Sequence, residues 1–118
     1  MPRPRKWRKV CCLPCSSKFG PLDSHAQEKT FVLMTVDEYE TIRLIDLEGL
    51  SQEDCAVRMN VARTTVQGIY SEARKKLAES LVNGKVLRIE GGDYKLCDGD
   101  GDFCRKDKCQ RHRFRCSD

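Results

Sequence analysis

Two groups of residues carry most of the chemistry this chain can offer. In the first, Arg63, Thr64, Thr65, Gln67, Ser71, Arg74 and Lys75 follow one another through a helix-prone run, "ARTTVQGIYSEARKK". Arg forks onto guanine O6 and N7, Gln pairs with adenine, and Thr presents a hydroxyl or a methyl to a base edge. Arg74, Lys75 and Lys76 come one or two turns later and suit backbone phosphates. The second group is the eight cysteines. Cys11, Cys12 and Cys15 form "CCLPC", while Cys97, Cys104, Cys109 and Cys116 share a polar tail with His112. Thiolates at that density hold zinc tetrahedrally or an iron-sulfur cluster.

Neither cysteine group is a pair of C-x-x-C knuckles. The tail "DGDGDFCRKDKCQRHRFRCSD" has only Phe103 and Phe114 as large apolar residues, so it needs a staple to fold, and a metal is the simplest one. The alternative is an unfolded tail of reduced thiols. "DGDGDF" begins like a calcium loop, but Phe103 stands at the sixth position and Cys109 at the twelfth, where Gly and Glu are required. Cys12 and Cys15 have the spacing of a thiol oxidoreductase without the βαβ pattern around them, so no enzyme is expected. Cys55, next to Ala56, reads as a small core residue.

The first group needs a scaffold, and the stretch "QEDCAVRMNVARTTV" provides its signature. Two helices joined by a tight turn pack closely when the first offers a small side chain at the crossing, which is Ala56. The turn needs a residue in the left-handed region, and Asn60 is the best non-glycine choice. Val61 and Val66 supply apolar contacts across the pair, and Gln52 stands at its head. This is the spacing of a helix-turn-helix, with the recognition helix starting near Ala62. An ordinary helical hairpin is the plainer alternative.

Flanking signals complete the domain. Thr35 and Glu38 make a capping box before "VDEYETIRLIDLEGL", a helix closing near Gly49, and Ser51 with Asp54 caps a short helix ending near Met59. Val66, Ile69, Tyr70, Ala73, Leu77, Ala78 and Leu81 repeat with helical period. "KVLRIEGGDYKLC" then alternates around Gly91 and Gly92, which predicts a β-hairpin wing, and "TFVLM" at 30–34 predicts a short strand. The expected fold is mostly α: a three-helical helix-turn-helix core followed by a β-hairpin wing. The divisions are a basic, Cys-containing arm and linker over 1–34, the domain over 35–97, and the Cys/His-rich tail over 98–118.

Charge agrees with a polyanion as partner. The chain has 118 residues and a net charge of +4, with six Lys/Arg and no acids in residues 1–22, nine acids against two bases in 23–57, and eight bases against four acids in 58–96. Such asymmetry suits a protein that lays chosen faces on a polyanion, here expected to be double-stranded DNA, the plainer alternative being solvated basic tails. Arg3 and Arg5 in "MPRPRKWRK" are placed to follow the minor groove, and Trp7 suggests that part of this arm docks. No apolar run approaches the ~20 residues that span a bilayer, and the N-terminus lacks the apolar segment of a signal peptide. The expectation is a cytoplasmic protein without a membrane partner, its cysteines thiols or metal ligands. A homodimer is also expected, because one helix reads few base pairs.

"MPRPRK", "EYETIRLIDLEGLSQEDCA", "ARTTVQ", "ARKKLAESLVNGK" and "LRIEGGDY" together resemble uncharacterised protein family 0251, predicted DNA-binding proteins of archaea and bacteria, over about residues 1–97. The resemblance implies a helix-turn-helix similar to region four of sigma factors, with recognition on Arg63, Thr64, Thr65 and Gln67. It also implies a helix-capping Ser where this chain has Ala62, a loss worth ~1 kcal/mol. The sigma likeness raises a second reading, an accessory module touching RNA polymerase. No segment resembles the other promoter-reading regions of a sigma factor, so a regulator is expected; the cysteines add the alternative of a metal- or redox-responsive one.

Overall fold

A computed structural model of the chain describes residues 8–11, 13–23 and 30–96. Thr35 opens the first helix, α1 (Val36–Ile42), through a complete capping box. Its backbone N–H donates to Glu38 Oε1 at 2.9 Å, and its hydroxyl accepts the Glu38 N–H at 3.4 Å. The helix then widens into a π-helical stretch, Arg43–Leu47, closed by the Glu48 N–H on the Arg43 carbonyl at 2.9 Å. Ser51 caps α2 (Gln52–Met59), and Ala62 stands at the head of α3 (Arg63–Asn83), which Gly84 ends in the left-handed region. These boundaries match the capping and period signals of the sequence.

The strands differ from expectation in how they pair. β1 (Arg8–Val10), β2 (Lys18–Phe19) and β3 (Phe31–Met34) precede the helices, and β4 (Val86–Ile89) and β5 (Tyr94–Leu96) follow them. The alternation around Gly91 and Gly92 does mark two strands, but they form no hairpin. β4 lies between β2, antiparallel, and β3, parallel, with Leu87 opposite both Phe19 and Val32. β5 pairs with β1 in parallel, Arg8 opposite Tyr94. The segment before residue 35 thus supplies partners for both strands that follow α3, and β elements do stand beside the helices, though not as a local hairpin wing.

The reason lies at the two glycines. Both have positive φ, 76° at Gly91 and 104° at Gly92. A Cβ on Gly92 would collide with the Asp37 carboxylate and come within 2.8 Å of Thr35 Cβ. The Gly91 carbonyl accepts the Val36 N–H at 2.9 Å. The glycines therefore let the chain pass tightly over the start of α1 and cross from one sheet to the other.

Two apolar clusters hold the layers together. Val10, Val32, Met34, Val36, Ala73, Leu87 and Ile89 gather between the sheet and the middle of α3. Leu44, Cys55, Ala56, Met59 and Val66 join the π-helical stretch, α2 and the start of α3. The apolar period of α3 stays covered as far as Leu77, whereas Leu81 is 84% exposed. Between the clusters, buried Arg43 forms two hydrogen bonds to Glu40, at 2.8 and 2.9 Å, and Glu40 Oε2 also accepts the Cys11 N–H at 3.0 Å. This network pins the end of β1 to α1. Burial works against the Arg43 charge, but the hydrogen bonds and negative charge of Glu40 outweigh it and hold the guanidinium pKa above its ordinary value.

Candidate nucleic-acid interface

The turn between α2 and α3 is built from backbone hydrogen bonds. Asn60 lies at φ 58°, ψ 46°, and is the only non-glycine residue with positive φ among those described. Its N–H donates to the Val57 carbonyl at 3.2 Å, and the next N–H, of Val61, donates to the Ala56 carbonyl at 3.0 Å. This is a Schellman closure with Asn in the left-handed position. Val61 packs against the cluster that contains Ala56 and Val66, supplying the apolar contact that accompanies such closures. Ala56 is 5% exposed, so its single methyl occupies the available space and lets α2 and α3 lie close.

α3 begins without a side-chain cap, and its first turn holds no acidic residue. The positive end of its dipole is left for an anion from outside the helix. At 100° per residue, Arg63, Gln67, Ser71 and Arg74 fall within an arc of ~80°, and all four are exposed. Thr64 and Lys75 border that arc and are also exposed. Thr65 departs from expectation: it lies across the helix from Arg63 and is partly buried, on the side where Lys76 meets Glu38 of α1.

Contacts sort the basic residues further. The Arg74 guanidinium sits 5.4 Å above the Tyr70 ring, and the Tyr70 hydroxyl donates to Asp46 Oδ1 at 2.8 Å, tying α3 to the π-helical stretch. The bond to Asp46 is the main reason the phenol pKa is raised. Lys76 pairs with Glu38 Oε1 at 2.6 Å, so it braces α3 against the capping box of α1. Sequence reasoning had no signal for these long-range partners. It also passed over Gly68, which lies beside Thr64 and Lys75 on the open side, with nothing within 4 Å of where a Cβ would stand. A glycine in the interior of a long helix was a visible signal.

The other expected site residues divide as follows. Arg3, Arg5, Cys12, Cys97, Cys104, Cys109, His112 and Cys116 lie outside the described residues. Cys11 is a buried thiol. Cys15 is disulfide-bonded, against the expectation of a thiol or metal ligand, and a disulfide sulfur has no thiolate to offer a metal. Cys55 is fully buried, and burial, reinforced by the charge of Glu40, pushes its thiol up to about 12. Among the described residues no group of three or more His, Cys, Asp or Glu could hold a metal ion, and no helix is long and apolar enough to cross a membrane.

Fold and site together define a small helical domain with short strands, its longest helix packed along one side and presenting a polar, basic row along the other. The chain belongs to the family described as protein of unknown function DUF134, whose match spans residues 1–97. It is 73% identical over 113 residues to a UPF0251 protein of Desulfitobacterium hafniense strain Y51, covering 96% of this chain and 90% of that protein. A UPF0251 protein of Caldanaerobacter subterraneus subsp. tengcongensis is 47% identical over 113 residues, covering 96% and 93%. No solved structure matches the chain.

Proposed function

We propose that this protein binds double-stranded DNA and recognises sequence with α3 in the major groove, as a transcriptional regulator of the helix-turn-helix class. The observation that carries the reading is the Asn60 turn. It closes α2 over Ala56 and starts a long helix whose exposed arc holds Arg63, Gln67, Ser71 and Arg74. Arg63 and Gln67, one turn apart at the leading end, are the base readers, because the Arg fork donates to guanine O6 and N7 and the Gln amide, through one donor and one acceptor, pairs with adenine. Arg74 and Lys75, further along the helix, take phosphates, and the uncapped first turn offers its N–H groups to another.

Most of the affinity then comes from the backbone contacts and falls with salt. The test is a titration of labelled duplex at stepped salt concentrations with the wild type and Lys75→Ala. The reading expects affinity to fall on a log–log slope that the substitution makes shallower by ~1. Absence of duplex binding at ~150 mM salt, near physiological ionic strength, contradicts it.

A further inference from the structure

Beyond Lys75, the last turns of α3 border an apolar surface that the proposed DNA contacts do not use. A groove of about 830 Å³ opens between the end of α3, α1 and the inner face of the sheet, with Tyr39, Leu77 and Leu87 among its lining residues. Phe19, Leu81 and Val82 also line it. Leu81 is 84% and Val82 79% exposed. Branched apolar side chains in water beside an apolar groove mark a surface made to be covered.

We propose that this groove, with the Leu81–Val82 ridge at its edge, is the interface with a second copy of the chain. Three observations favour that occupant. Leu81 and Val82 stand exposed on the groove's own lining, so a twofold axis that brings this one patch of each copy together buries both pairs at once. Chain outside the described residues is a poor filler: residues 24–29, which follow the groove-lining Asp23, read "SHAQEK", residues 98–118 carry only Phe103 and Phe114 as large apolar groups, and residues 1–7, with Trp7, join the chain at β1, in the sheet that does not line the groove. Finally, Asp23 and Lys85, the charged residues among the groove lining, balance in charge, and Lys85 is already paired with Glu79 at 2.9 Å. A neutral patch of both signs meets its own copy without like-charge repulsion, but it does not attract a polyanion.

This inference does not depend on DNA binding, because the association is measured without DNA. Sedimentation equilibrium of the full chain, over a range of concentrations, compares the wild type with Leu81→Asp and Leu47→Asp. Leu47 is 76% exposed and is not part of the groove lining, so its variant controls for a charge placed elsewhere on the surface. The expected result is a wild-type monomer–dimer equilibrium that Leu81→Asp weakens at least about tenfold and Leu47→Asp leaves unchanged, all three showing the same helical circular dichroism. A wild type that stays monomeric at every concentration overturns the proposal, and so does equal loss of dimer in both variants.

Discussion

The Val61 N–H donates to the Ala56 carbonyl at 3.0 Å, across a turn whose middle residue, Asn60, is left-handed. The bond fixes the angle at which α3 leaves α2, and with it the direction in which Arg63 and Gln67 are presented. Asn60→Gly keeps the conformation and should change stability by no more than a few tenths of a kcal/mol, whereas Asn60→Val forces a β-branched residue to positive φ and should cost ~1–3 kcal/mol. Urea denaturation of both variants checks this; equal midpoints contradict it.

Gly68 separates stability from binding. Its Cβ position is open, so packing does not demand glycine, and Gly68→Ala should stabilise the helix by ~0.5–1 kcal/mol. If DNA backbone passes close to α3 there, the same substitution weakens duplex binding. The expected pair of results is a higher melting temperature and a larger Kd. A variant that is more stable and binds unchanged removes Gly68 from the interface.

Glu40 is the anchor of the buried network. Glu40→Ala leaves Arg43, at 4% exposure, without its bidentate partner and frees the Cys11 N–H that Glu40 accepts. The expected loss is ~3–5 kcal/mol, read from the shift in denaturation midpoint. A loss below ~1 kcal/mol, the scale of a surface ion pair, would mean that Arg43 finds water or Glu48, whose Oε2 is 3.7 Å away.

Cys55 predicts an alkaline limit. Its folded pKa of about 12 lies above the ordinary 9.0, so the stability it contributes is complete below about 9 and is lost as pH rises through about 12. Wild type should therefore lose stability between those values more steeply than Cys55→Ala. The native thiol should also resist iodoacetamide at neutral pH and react once the chain is unfolded. Rapid alkylation of the native protein at Cys55 contradicts the burial.

What could be read from the sequence was what depends on neighbouring residues. Thr35 with Glu38, Ser51 with Asp54, and Asn60 after Ala56 set their own backbone within a few positions, and each stands where those local rules place it. The pairing of β4 and β5 could not be read that way. Gly91 and Gly92 resemble hairpin residues, but the close contacts that require Gly92 come from Thr35 and Asp37, and the Gly91 carbonyl accepts from Val36, more than fifty residues earlier. The same holds at the candidate interface. Helical period puts Arg63, Gln67, Ser71 and Arg74 on one arc, but only the fold shows Lys76 held by Glu38, Arg74 lying over Tyr70, and Thr65 partly buried.

The central claim is that α3 reads base sequence. Selection from randomised duplex DNA at ~150 mM salt, run in parallel with the wild type and Arg63→Ala, tests it most directly. The account predicts a defined motif for the wild type that loses preference at one or two positions, typically guanines, in the variant. An unstructured pool for the wild type, or the same motif from both proteins, would contradict it.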